Sequence, residues 1–354
     1  MSWLPVDDGA DADEPYGAYA DLEVRQRPNP KANRPRTKRR PEHADAVIGM
    51  VTGVDRGRYQ VLVGDSRSTA TGDERTVTAA RARELHRTPI VIGDRAQLVG
   101  DTSGDEGSLA RIVGLEERRT LLRRSADDSD RLERVMVANA DQMLIVIAAA
   151  NPEPRVRLVD RYLVAAYDAG IAPLICITKT DVADPEPFLS HFAALEVPVF
   201  RSRPGDEPLD EIREALAGKT TVFVGHSGVG KSTLINALVP DALRAIGHVN
   251  EVTGRGRHTS SSSVALRALT PGCAGGEHGW VIDTPGVRSF GLGHVTSDGV
   301  LRGFVDLASL IDLCPRGCTH FGDAPDCELD AAITDGRLDA TGAARVESLR
   351  RLLH

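Results

Sequence analysis

Two textures of apolar patterning succeed one another along the chain. From residue 46 to 117 short β-rich runs alternate with turns. Val47-Ile48-Gly49-Met50-Val51 and Tyr59-Gln60-Val61-Leu62-Val63 read as paired strands across Asp55-Arg56-Gly57. Residues 75–78, 90–99 (interrupted at Gly93-Asp94) and 109–115 supply three more. Five short strands in one segment predict a small barrel of the OB type, whose open face commonly takes oligonucleotides. Such faces usually carry stacking aromatics, and Tyr59 is nearly the only one here.

After a charged connector at residues 118–134 the texture changes. Met143-Leu144-Ile145-Val146-Ile147-Ala148-Ala149-Ala150 is a continuous apolar run, as in a strand buried on both faces of a parallel sheet. Residues 156–169 predict an amphipathic helix and 172–177 a strand. Val197-Pro198-Val199-Phe200, a helix over 209–216 and Thr220-Thr221-Val222-Phe223-Val224 follow. Leu234, Ile235, Ala237 and Leu238 recur at helical spacing, strands begin near Val264 and at Gly279, and 347–353 predicts a terminal helix. Strands alternating with helices predict a βαβ series with helices on both sides of the sheet. The expected fold class is therefore multidomain. An OB-type barrel (43–118) and a connector (119–135) precede an α/β phosphate-loop domain (136–293). A small, mostly helical domain (294–354) follows.

Residues 1–42 lack hydrophobic periodicity and are split by charge. Asp7, Asp8, Asp11, Asp13 and Glu14 come first; Arg25, Arg27, Lys31, Arg34, Arg36, Lys38, Arg39 and Arg40 follow, with Pro28, Pro30 and Pro35 denying a helix. This tail reads either as an arm that neutralises RNA phosphates or as a solvated terminus. The length, 354 residues, suits two or three domains. No apolar run reaches the ~20 residues of a membrane span, and the N-terminus lacks the basic and apolar regions of a signal peptide. The expected location is the cytoplasm. The net charge of −8 argues on its face against nucleic acid, but the basic run shows that distribution matters more than the sum.

The chemistry centres on Gly225-His226-Ser227-Gly228-Val229-Gly230-Lys231-Ser232-Thr233, which fits G-x-x-x-x-G-K-[ST] between a strand and a helix. Its glycines let backbone N–H groups curl around phosphate oxygens, Lys231 would neutralise the β/γ charge, and Ser232 would reach Mg²⁺. Thr178-Lys179-Thr180-Asp181, at a strand's C-terminal end, resembles the guanine-specificity motif [NT]-K-x-D. A carboxylate can accept from both N1–H and N2–H₂ of guanine, a donor pair adenine lacks. Lys179's stem would cover the base, and Ser202 is a candidate for the base-contacting loop. Asp283-Thr284-Pro285-Gly286 matches D-x-x-G, with Asp283 holding Mg²⁺ through water and the Gly286 N–H reaching the γ-phosphate. The polar, Gly-rich residues 251–260 read as a switch loop whose Thr259 would complete the metal shell.

Val287 stands where related enzymes carry a water-orienting glutamine, and a valine cannot hydrogen-bond a water. His258, beside Thr259, is the best-placed replacement; the other reading is that it contacts only RNA or solvent. The motif order is unusual, because the guanine motif precedes the phosphate loop and D-x-x-G comes third. Cutting the domain after the D-x-x-G strand and joining its old ends keeps every strand in place, so the order predicts a circularly permuted domain. Whatever follows Gly286 then extends a switch directly. That segment holds Cys314, Cys318, His320 and Cys327, of five cysteines in all. Three thiolates and an imidazole suit a closed, structural Zn²⁺ site; buried free cysteines or a redox pair are the alternatives.

Together the TKTD, GHSGVGKST and DTPG motifs, between a β-barrel and a Cys-Cys-His-Cys knuckle, resemble the circularly permuted ribosome small subunit-dependent GTPases (RsgA/YjeQ type). The resemblance covers residues 43–354 and includes Arg161-Tyr162-Leu163 and residues 254–259. It implies a late maturation or checkpoint factor of the small ribosomal subunit, with GTP hydrolysis stimulated by that subunit. It also implies rRNA contacts from the barrel and zinc domains, a catalytic role for the switch histidine (His258 here), and the cofactors GTP/GDP, Mg²⁺ and one Zn²⁺. We expect a monomer with no membrane association. A GTP-gated RNA-binding module with negligible hydrolysis is the alternative, and Val287 favours it.

Overall fold

Five strands of alternating burial close the first part of the molecule into a barrel. The computed structural model describes residues 43–64, 74–85, 88–125, 133–239, 264–268, 278–284 and 297–353. The tail 1–42, His258, Thr259, Gly286 and Val287 lie outside the described residues. β1 (Val47–Asp55) and β2 (Arg58–Val63) pair across Arg56-Gly57. Both turn residues have positive φ (40° and 83°), as a two-residue hairpin matched to strand twist requires. β3 (Arg75–Arg81), β4 (Arg95–Gly100) and β5 (Ala110–Leu115) follow, and β4 returns to β1, giving the closed order β1-β2-β3-β5-β4. Val51, Val61, Val77, Ala79, Ala96, Leu98 and Ile112 fill the interior. Tyr59 joins them at 5% exposure, so the aromatic with a claim to stack on a base belongs to the barrel core.

The connector carries structure that its charges conceal. β6 (Leu121–Ser125) and β7 (Glu133–Ala138) form an antiparallel hairpin, and Leu122 and Val137 are buried with Ile92 beneath it. The Ala138 N–H donates to the Ile92 carbonyl at 2.9 Å. Gly93 (φ 85°) lies so close that a Cβ there would collide with the Ala138 carbonyl oxygen. Beside it Asp94, 1% exposed, accepts from Arg118 Nε at 2.7 Å, Arg118 Nη2 at 2.9 Å and the Val91 N–H at 2.8 Å. Removing one partner of such a pair strands a buried charge, at a typical cost of about 3–5 kcal/mol. Gly93→Ala adds steric overlap to an unfavourable backbone conformation and should cost roughly 2–4 kcal/mol. Urea unfolding of the variant checks this; a midpoint equal to wild type would show that the joint yields freely.

The second part is a sheet with a core on each face. β8 (Gln142–Ala148) leads through α1 (Val156–Asp168) to β9 (Ala172–Thr178), and α2 (Glu186–Leu189) precedes β10 (Val199–Arg201). Then come α3 (Leu209–Leu216), β11 (Thr220–Val224), α4 (Lys231–Leu238), β12 (Val264–Ala268) and β13 (Gly279–Asp283). The order is β10-β9-β8-β11-β13-β12, parallel except for β12 against β13. Along β8, Met143, Ile145 and Ile147 enter the core under α1, while Leu144, Val146 and Ala148 enter the one under α3 and α4. That division explains the run's lack of alternation. At its far edge β12 pairs with β1 at Val264↔Gly53, so barrel and α/β domain share one eleven-stranded sheet. Arg267 of β12 pairs with Glu74 and lies 5.1 Å over the Trp280 ring.

The final part is helical: α5 (Ser297–Leu301), α6 (Ala308–Ile311), α7 (Glu328–Thr334) and α8 (Ala340–Leu353), which begins well before the expected residue 347. Val346, Leu349 and Leu352 of α8 enter the core that holds Tyr162 and Val164 of α1. Arg351 Nε donates to the buried Asp160 of α1 at 3.2 Å, and Arg345 reaches the Ala194 carbonyl at 2.8 Å. Burial raises the Asp160 carboxyl above the usual range, against the pull of Arg351.

Candidate active site and metal centre

Because β8, β9, β10, β11 and β13 run parallel, their C-terminal ends meet along one rim, where open α/β sheets take ligands. β11 is flanked by β8 and β13, and its exit is the phosphate loop. Gly225 leaves the strand at φ 156°, and a Cβ there would lie 2.5 Å from the Val146 carbonyl. Gly230 (φ 93°) caps α4 without a side chain, and the Leu234 N–H donates to its carbonyl at 3.0 Å. With no acid in the first turn of α4, its N-terminal N–H groups and partial positive charge suit an anion. His226, Ser227, Gly228, Ser232 and Thr233 are exposed, while Val229 is buried and anchors the loop.

The guanine-type motif is fastened to this loop. Thr178, 7% exposed, has its hydroxyl 2.5 Å from the Val229 carbonyl and 3.1 Å from that of Ile147. Lys179 sits at φ 57°, and its ammonium donates to the Gly228 carbonyl at 2.9 Å and to the Asn151 carbonyl. Asp181 is exposed on the same loop. Ser202 is drawn in from the end of β10: its N–H donates to Ile177 at 2.8 Å, and its carbonyl accepts from the Thr180 N–H at 3.3 Å. The structure thus brings Thr178, Lys179, Asp181, Ser202 and Gly225–Thr233 to one rim.

Asp283 arrives from the neighbouring strand, in register with Phe223, and its carboxylate pairs with the Lys231 ammonium. Both side chains are largely buried, so the cation of the phosphate loop and the carboxylate assigned to Mg²⁺ share one low-dielectric spot. Thr284, 2% exposed, pins the strand's exit by donating to the Phe223 carbonyl at 2.9 Å. Sequence reasoning passed over that role, as it did the Asn151 carbonyl, since neither is part of a motif. A cleft of about 450 Å³ beside the loop, lined among others by His226, Val229, Arg157 and Tyr162, also had no sequence signal.

The donor atoms of Cys314, Cys318, His320 and Cys327 lie within 4.8 Å of one another. Cys314 ends the turn after α6, Gly317 (φ 81°) bends the chain back to Cys318, and Cys327 caps α7. The residues fit a zinc ion on their chemistry. Three thiols and an imidazole converge, and the His320 Nδ1 is buried with no hydrogen-bond partner. Burial, with the Cys327 and Cys318 thiols beside it, pushes the Cys314 thiol up to about 11. A bound cation would offset that by favouring the thiolate.

Fold, motif order and rim together define a circularly permuted GTPase, whose phosphate-loop strand comes fourth in its parallel sheet by sequence. The family model for the RsgA GTPase matches residues 115–293. The small ribosomal subunit biogenesis GTPase RsgA of Pseudomonas aeruginosa is 39% identical over 257 residues, covering 70% of this chain and 71% of that one. The protein of that name from Marinobacter nauticus is 40% identical over 252 residues, 68% of each chain. The chain belongs to the RsgA GTPase family, and its reaction is hydrolysis of GTP to GDP and phosphate. The fold is shared with YjeQ from Thermotoga maritima (TM-score 0.59, 21% identity, 87% of this chain and 97% of that one). It is shared also with YloQ, described as a circularly permuted GTPase (TM-score 0.56, 23% identity, 88% and 96%).

Proposed function

We propose that this GTPase is a late maturation or checkpoint factor of the small ribosomal subunit, binding rRNA and hydrolysing GTP when the subunit stimulates it. The observation that carries this reading is the rim itself. Guanine-type loop, phosphate loop and Asp283 are tied together within a chain 39% identical to proteins named for small-subunit biogenesis. Gly225–Thr233 cradle the phosphates, Lys231 neutralises their charge, and Ser232, Asp283 and Thr259 hold Mg²⁺. Thr178, Lys179, Asp181 and Ser202 form the guanine side, and the Gly286 N–H reads the γ-phosphate. Water attacks the γ-phosphorus, the bond to the β-phosphate oxygen breaks, and phosphate leaves.

Val287 offers that water no hydrogen bond, so unassisted turnover is slow and His258 supplies the orientation once the subunit is bound. The Cys314–Cys327 knuckle holds a structural zinc ion, and the protein acts as a cytoplasmic monomer. The test is phosphate release with and without purified small subunits. We expect stimulation of roughly a thousand-fold or more, the scale on which partners act on other GTPases. His258→Ala should lose most of it while keeping GTP affinity. Stimulation below about ten-fold would instead favour a GTP-gated RNA-binding module, the reading to which Val287 also lends weight.

A further inference from the structure

We infer that Arg350 of α8 is a positioning residue of the metal centre, fixing the backbone from which His320 presents its imidazole. This rests on the metal reading of the Cys-His cluster. His320 has φ 59°, a left-handed conformation that is strained for a non-glycine residue and persists only where its surroundings hold it. What holds it is in view. Arg350 Nε donates to the His320 carbonyl at 3.0 Å, thirty residues along the chain. The guanidinium is itself locked: Nη2 donates to both carboxylate oxygens of Asp330 at 2.8 Å, and Nη1 reaches Glu347 at 3.3 Å.

At 12% side-chain exposure Arg350 is far from a loose surface arginine. Asp330 lies in α7, the helix that Cys327 caps. One guanidinium therefore ties together the histidine ligand, the helix bearing a cysteine ligand, and the terminal helix docked on α1. Groups of this kind, behind the ligands themselves, typically govern metal affinity by about 10–100-fold. Nothing in the Cys-Cys-His-Cys spacing marks Arg350, since its contact is to a carbonyl.

The full-length chain loaded with cobalt(II) in place of zinc gives a readout of ligand geometry independent of GTP hydrolysis. Its visible d–d bands report which atoms surround the ion. Arg350→Met keeps the packed stem and the helix but removes the donor. We expect its cobalt spectrum to move toward that of His320→Ala, and its zinc affinity, by competition with a chromophoric chelator, to fall about 10–100-fold. Should Arg350→Met not fold, Asp330→Asn leaves His320 untouched while loosening the guanidinium, and a smaller shift in the same direction is expected. A wild-type spectrum with affinity within two-fold of wild type, in whichever variant folds, would overturn the positioning role. A wild-type chain that binds neither cobalt nor zinc would overturn the metal reading, and this inference with it.

Discussion

Asp181→Asn is expected to weaken GTP binding by roughly 10²–10⁴-fold and to make xanthosine triphosphate the preferred nucleotide. The argument counts hydrogen bonds. A carboxylate accepting from guanine N1–H and N2–H₂ makes two charge-assisted bonds, each worth about 1.5–3 kcal/mol. Asparagine has one acceptor oxygen, and its NH₂ would face a guanine donor. Xanthine carries an oxygen where guanine has N2, so the same NH₂ then finds an acceptor. The fold should be indifferent, because Asp181 is exposed and the loop is held by Thr178, Lys179 and Ser202. Competitive displacement of a fluorescent guanine nucleotide by GTP and by xanthosine triphosphate provides the measurement. An unchanged ratio of the two affinities would refute the guanine assignment.

The second large effect concerns the knuckle. On the proposed zinc reading of the knuckle, Cys327→Ala should take the zinc content from one per chain to none under ordinary purification. Apparent binding energies of structural zinc sites, about 10–16 kcal/mol in small peptides, are shared by four ligands. Losing one thus costs about 3–4 kcal/mol, or two to three orders of magnitude in affinity. Cys327 is 3% exposed and begins α7, so the damage should spread to that helix and the loop from Cys314. α8 has other anchorage through Val346, Leu349 and Leu352 and through Arg351 to Asp160. We therefore expect protease cleavage between residues 312 and 327 with the rest of the chain intact, and the same pattern after chelation of the wild type. Full zinc content in the variant would remove Cys327 from the ligand set.

The candidate rim was largely readable from the sequence because a phosphate-loop motif makes local demands. A strand, a glycine turn and a helix start must be contiguous, as Thr220 to Leu238 are. The two-sided burial of β8 was equally legible, since an unbroken apolar run has few other uses. What escaped was non-local. Arg123, Arg124 and Arg134 gave the β6–β7 hairpin the look of a linker, and only the tertiary position of Leu122 and Val137 shows it to be roofed over a core. The same holds for Arg118 against Asp94 and Arg350 against the His320 carbonyl: arginines in charged stretches carry no mark of the buried partner they will meet. Tyr59 shows the converse, a residue weighed for its chemistry that the barrel uses for volume.

The meeting of β12 with β1 has a consequence for solubility. The outer edge of β12 would, in an α/β domain standing alone, present a row of unpaired backbone donors and acceptors, and such a row recruits strands from other molecules. Here β1 of the barrel caps the start of that edge at Val264↔Gly53, and the Glu74–Arg267 pair covers the stretch beyond it. The barrel thus doubles as a stopper against self-association, wherever else its outer surface makes contact. A chain cut just before the hairpin would lose that stopper, and would be more prone to stack edge to edge than the intact protein.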